Sequence, residues 1–191
     1  MSQSAEPADV PPDAPQPNVA EQIGQAFVAL KQAGDTGANW FYWIAGLSLV
    51  NTAMAHGGAD RHFIIGLSIT AIVDVIAQEI GKKNPDSATL AMGIAIGFSV
   101  CVAAVVIAFG WLSRKRLIWV FAIGMGLYLL DGLLYLVLGD YLSAGFHGYA
   151  LFAMYRGFGA YRKMAQLEAA LRSQTAEQTE DDAEEVVEVD E

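Results

Sequence analysis

Apolar residues run uninterrupted through the middle of this chain, and polar residues return in short clusters between the runs. Four runs cover 39–57, 62–80, 89–112 and 117–138, joined through 58–61, Gly81–Ser87 and 113–116. Each approaches or exceeds the roughly 20 residues that an α-helix needs to cross ~30 Å of hydrocarbon. Joins this brief predict that consecutive helices are antiparallel neighbours. Trp40 and Trp43 fall where one membrane interface is expected, and Trp111 and Trp119 where the other is, in keeping with the preference of indole rings for the headgroup level.

The flanks follow a different period. Asn18 followed by Glu21 offers a capping box, and Ile23, Phe27 and Leu30 recur at helical spacing between polar residues, so 19–33 reads as an amphipathic surface helix. Gly34, Asp35 and Gly37 are expected to break it. A fifth segment, 141–161, carries His147, Arg156 and four glycines; it is either a fifth span or a partial helix lying along the bundle. Met164, Leu167 and Leu171 extend an amphipathic pattern over 162–173. The ends, 1–18 rich in Pro and Asp and 174–191 rich in acids, read as disordered tails.

Composition agrees with a membrane body and relocates the charge. The 191 residues are 54% hydrophobic and 17% charged, with mean hydropathy +0.35. The net charge of −10 belongs to the tails: twelve of the 21 acids lie in 1–18 and 173–191, leaving nine acids against all 11 bases in the body. Five spans would put Arg61, Arg114, Lys115, Arg116, Arg162, Lys163 and Arg172 on one side and Lys31, Lys82 and Lys83 on the other. Four spans would balance them less unevenly. The positive-inside rule therefore favours five spans, with the C-terminal tail cytoplasmic and the N-terminal end outside. The expected fold is an all-α integral membrane bundle of five helices, with four spans plus one interfacial helix as the alternative. The start of the chain lacks the basic and apolar segments of a signal peptide.

Asp74 and Asp131 lie inside the apolar runs, and a carboxylate at bilayer depth costs several kcal/mol unless paired, protonated or facing a cavity. Small and polar residues mark the inward faces of membrane helices. Gly66, Thr70, Asp74 and Gln78 form one stripe; Gly124, Tyr128, Asp131, Gly132 and Tyr135 another; Ser48, Asn51 and Thr52 a third. Gly93 and Gly97 make a GxxxG beside Cys101. Counted from the ends of their runs, Asp74 and Asp131 lie about 10 Å from the same face, and His147 reaches that depth if 141–161 inserts. These three are expected to be able to meet, with Thr70, Tyr128, Tyr135 and Asn51 around them and Gly66, Gly93, Gly97, Gly124 and Gly132 as packing positions. His56 and His62 are expected at the opposite interface, as interfacial polar residues, so a three-histidine metal site is not anticipated.

No phosphate-binding loop, nucleophile elbow, H-E-x-x-H or cysteine pair occurs, so hydrolytic, phosphoryl-transfer and zinc chemistry have no anchor, and neither cofactor nor metal is expected. Asp131-Gly-Leu-Leu-Tyr-Leu-Val-Leu-Gly-Asp140, with Gly145-Phe-His147 and Ala150 to Gly157 after it, resembles stretches of small bacterial multi-span membrane proteins that have no assigned function. The resemblance covers the membrane body and implies a bacterial cytoplasmic-membrane location, with no activity attached. On residues alone, the leading expectation is a non-enzymatic structural or accessory component that self-associates or binds a membrane partner, and no nucleic acid. In that reading the aspartates are hydrogen-bonded register pins. The alternative is a proton- or cation-coupled transporter or channel using Asp74, Asp131 and His147.

Overall fold

The computed structural model describes residues 18–56 and 66–189. Within them the chain is all-helical: α1 (Val19–His56), α2 (Ser68–Lys83), a 3₁₀ turn at Pro85–Ser87, α3 (Ala88–Arg114), α4 (Ile118–Val137) and α5 (Tyr141–Val189). The tail 1–17 and the segment 57–65, with Arg61 and His62, lie outside the described residues.

Two pieces expected to be separate are one helix. Asn18 Oδ1 accepts the Glu21 backbone N–H at 2.8 Å and caps α1, which then continues through Gly34, Asp35 and Gly37 to His56. Those residues read as breakers because two glycines beside an aspartate lower helix propensity. They serve a different purpose in the fold. Gly34 receives the Tyr161 ring of α5, and a Cβ on Gly37 would lie 2.6 Å from the Gly157 Cα, so the glycines let two backbones touch. Asp35 accepts hydrogen bonds from Lys31 Nζ and Tyr161 Oη, each at 2.6 Å, and Arg114 approaches it at 3.9 Å. Burial works against its charge, yet the Lys31 and Tyr161 bonds outweigh it and hold the carboxyl below the ordinary aspartate range. Likewise 141–161, 162–173 and most of the acidic tail form a single 49-residue helix, α5.

Helix directions follow from which residues meet. Gly34 and Gly37 of α1 meet Tyr161 and Gly157 of α5, so α1 and α5 are antiparallel. Phe41 stacks on Phe109 at 6.1 Å and Thr52 meets Ser99 at 3.0 Å, so α1 and α3 are antiparallel too. Between α1 and α2 the order is the opposite: Ser48 meets Thr70, Thr52 meets Asp74, and Gln78 donates to the Ala55 carbonyl. These helices run parallel, against the antiparallel pairing expected from a four-residue join. The reason is that α2 starts at Ser68, so eleven residues separate the helices, enough to span ~36 Å fully extended. One consequence is that the start of α1 and the charged half of α5 share an end of the bundle with the α3–α4 turn.

The remaining joins are tight. Arg116 adopts φ +65° between α3 and α4, and its guanidinium is bidentate on Glu168 of α5 at 2.7–2.8 Å. Gly139 takes φ +78° after α4, its N–H bonding the Leu136 carbonyl and that of Asp140 the Tyr135 carbonyl, the left-handed helix ending glycine permits. Asp140 then caps α5 through the Ser143 N–H and hydroxyl. The core is aromatic: Phe41, Phe121 and Tyr161 interlock with Met154 and Met164.

Among the described residues two helices, α3 with its preceding turn and α4, are long and apolar enough to cross a membrane, with mean hydropathies of 2.6 and 1.9. The burial of α3 is inverted relative to a water-soluble core. On α3 the buried residues are Ala95, Ser99, Ala103, Gly110 and Ser113, while Leu90, Ile94, Phe98, Val105 and Trp111 are exposed.

Candidate functional site: two buried histidine–aspartate pairs

The N-terminus of α2 is closed by a residue from another helix. Leu67 occupies the cap position and has no side-chain acceptor, so the free N–H groups of the first turn need one from elsewhere. Asp131 of α4 supplies it. Its Oδ2 accepts the Ser68 N–H at 2.9 Å, and its Oδ1 accepts the Ile69 N–H at 3.2 Å and the Ser68 hydroxyl at 2.6 Å. A carboxylate here also faces the positive end of the helix dipole.

His147 completes the group from α5. Its Nδ1 lies 2.8 Å from the Ser143 carbonyl and its Nε2 3.0 Å from Asp131 Oδ2. A carbonyl only accepts, so Nδ1 carries a proton. The contact from Nε2 to Oδ2 then needs a second proton, either on the ring or on the acid. Three donors converging on Asp131 favour the carboxylate, which makes the pair an imidazolium–carboxylate whose net charge is zero. Tyr128 stacks on the imidazole at a centroid distance of 4.4 Å and 20° between planes, and Tyr135 tilts against it at 5.2 Å. A Cβ on Gly132 would lie 2.8 Å from the His147 Cβ, so only glycine lets α4 and α5 approach this closely.

The second pair sits farther along α2. Asp74, 2% exposed, meets His56 Nε2 at 3.0 Å through Oδ1 and accepts the Thr52 hydroxyl at 2.9 Å through Oδ2. Thr52 Oγ1 also lies 3.0 Å from Ser99 Oγ. One turn earlier, Thr70 donates to the Leu67 carbonyl at 2.9 Å, leaving Ser48 to donate to Thr70 Oγ1, also at 2.9 Å. Ser68 and Asp74 are six residues apart on α2, so the pairs are separated by roughly 9 Å along the helix.

The expected cluster is thus divided. Asp131, His147, Tyr128 and Tyr135 come together; Asp74 and Thr70 pair with α1 instead, and Asp74 takes His56 as its partner. The parallel course of α1 and α2 is the cause, since it carries the end of α1 alongside the middle of α2. Asn51 packs against Gly66 with its Oδ1 buried and unpaired among the described residues, and Gly124 receives the Phe41 ring. Gly93 and Gly97 meet nothing within 4 Å among the described residues; the small strip facing the bundle is Ala95, Ser99 and Ala103, two residues out of register with them. Nothing in the sequence singles out Ser68, Ser99 and Ser143. Serine is common and weakly patterned, and no local signal announces that α4 will cap α2. Among the described residues no group of three or more His, Cys, Asp or Glu could hold a metal ion.

No protein-family profile, curated protein or solved structure matches this chain.

Proposed function

We propose that this chain is a multi-pass helical membrane protein that moves protons, or couples them to transport, through its two His–Asp pairs. The observation that carries this reading is the start of α2. The helix begins beside the interior of α4, and its first turn is closed by a carboxylate paired with a histidine. Interrupted helices whose ends meet ionisable groups inside the bundle are the usual construction of ion- and proton-coupled sites. Irregular backbone is tolerated at that depth only where protein covers it or a cavity reaches it.

The inverted burial of α3 supports membrane placement, since small and hydroxylated residues face the bundle and large apolar ones face outward. Placement of the bases supports an orientation. Lys31, Arg114, Lys115, Arg116, Arg156, Arg162, Lys163 and Arg172 belong to the end shared by the start of α1, the α3–α4 turn and α5, against Lys82 and Lys83 at the other. By the positive-inside rule that richer end is cytoplasmic, which puts the start of α1 on the inside, not the outside expected from five alternating spans. In this arrangement a proton resides between His147 and Asp131, and the Thr52–Asp74–His56 group is a second station nearer the opposite surface.

The test is proton flux into proteoliposomes reported by an enclosed pH dye. Wild-type protein is expected to dissipate an imposed pH gradient, and His147→Gln and Asp74→Asn to abolish that while the protein keeps its helical spectrum. Absence of wild-type flux, with and without a membrane potential, overturns the reading.

A second reading, an accessory component that binds partners, is favoured by one feature: α5 runs on to Val189, well past Met164, its last buried residue among the side chains described. Crosslinking in native membranes that traps a neighbour through this extension, together with no flux, would select it.

A further inference from the structure

We infer that a crevice between α3 and α4 binds a neutral lipid alcohol, its hydroxyl held between Tyr128 and Asp131. The cavity is about 500 Å³ and is walled by Phe41, Phe98, Val105 and Leu127, with Tyr128 and Asp131 as its polar groups. That volume lies in the range of small-molecule sites, which pair an apolar lining with a few placed polar atoms. Leu67 and Ile69 line it as well, so the start of α2 stands where α3 and α4 part.

Tyr128 is the observation that points to a ligand. It is 5% exposed, its ring is fixed against His147, and it lines the crevice. Yet its hydroxyl meets no hydrogen-bond partner among the described residues. Buried tyrosine hydroxyls ordinarily find one. Tyr128 and Asp131 are three residues apart on α4 and so share a face.

The neighbouring charges select the ligand's chemistry. The Asp131 carboxylate repels a fatty acid or a phosphate. A cation would compete with the Ser68, Ile69 and His147 donors already on both oxygens. An uncharged hydroxyl fits, because its oxygen can accept from Tyr128 while its dipole points its proton toward the Asp131 charge, without displacing the donors already on that carboxylate. A carbonyl has no such proton and would present a lone pair to the carboxylate. The lining is otherwise apolar, so the body of the ligand is hydrocarbon and arrives through the bilayer.

The inference rests on the membrane placement proposed above and not on proton transfer. Cys101 is the chain's single cysteine; it is exposed and lines the same crevice, so its alkylation reports occupancy. The experiment measures the rate of Cys101 modification by N-ethylmaleimide in lipid nanodiscs, titrated with farnesol, farnesyl methyl ether or the hydrocarbon farnesene. Farnesol is expected to protect, the ether to need about tenfold more, and farnesene to fail at the same concentrations. Tyr128→Phe keeps the ring on His147 and removes only the hydroxyl, and it should weaken farnesol protection about fivefold with an unchanged melting temperature. Equal protection by farnesene, or by farnesol in wild type and Tyr128→Phe alike, overturns the inference and leaves a lipid-filled gap. Protection is read without any proton flux, so it fails separately from the transport reading; a chain that does not enter nanodiscs overturns both.

Discussion

Replacing Asp131 with asparagine separates the two protonation states that the His147 geometry allows. Asparagine is nearly isosteric with a carboxylic acid. If the pair is neutral, with the acid donating to His147 Nε2, the introduced amide can donate in its place while its oxygen accepts from Ser68 Oγ and the Ile69 N–H. Only the Ser68 N–H then loses its acceptor, a cost of about 1 kcal/mol. If the pair is an imidazolium–carboxylate, the variant either takes a proton off the ring or keeps it charged with every orientation of the amide setting a donor against a donor. An imidazolium kept there has also lost its counter-charge, in a ring only 1% exposed. Breaking a buried charge pair from one side costs about 3–5 kcal/mol, so we expect at least ~3 kcal/mol, more than a hundredfold in the folding equilibrium. The assay is reversible unfolding in mixed micelles titrated with denaturing detergent, followed by helical circular dichroism, with His147→Gln and the double variant completing a cycle. A loss near 1 kcal/mol for Asp131→Asn would refute the charged pair.

Three further outcomes follow from other parts of the bundle. Gly132→Ala should lower the melting temperature, since its Cβ meets the His147 Cβ at 2.8 Å and forced overpacking costs about 1–3 kcal/mol; Gly93→Ala and Gly97→Ala, which meet open space, should leave it unchanged or raise it, and the reverse order would mean that the α3 face is misassigned. Asp35 is held below its ordinary 3.8, so its stabilising contribution is complete above that value and is lost as pH falls through the lowered one; Tyr161→Phe should reduce the stability gap between pH 7 and pH 3, and an unchanged gap would show that the Tyr161 bond does not set it. Compartment-sensitive reporters fused ahead of α1 and after α5 should report the same side of the membrane, whereas opposite sides would contradict the parallel course of α1 and α2.

The helical class is legible because apolar runs of this length have few other uses, and α3 and α4 lie on two of them. Joins and directions are not. Gly34 and Gly37 have the local chemistry of a break, and only the Tyr161 ring and the Gly157 backbone, more than a hundred residues away, turn them into contact points. The start of α2 is hidden for a similar reason: the apolar run passes through Leu67 and Ser68 with no change in hydropathy to mark the first turn. That one ambiguity propagates. It sets α1 against α2 in the opposite direction, sends His56 to the far interface and parts it from Asp74. Asp131 and His147, on helices joined by a tight turn, are brought together by depth alone, because nothing intervenes to shift them.

The rungs between α1 and α2 carry a property of their own. Ser48, Thr52 and His56 recur every four residues, as do Thr70, Asp74 and Gln78 opposite them, so both faces repeat once per helical turn. A ladder with matching periods on its two rails is degenerate: displaced by one turn, ~5.4 Å, each remaining rung again finds a polar mate, much as a screw advanced one thread still engages. These contacts therefore hold α2 against α1 without saying at which thread. The index mark is Asp131, which grips the first turn of α2 at Ser68 and has no counterpart one turn on. Whatever loosens that grip removes the mark by which α4 indexes the first turn of α2.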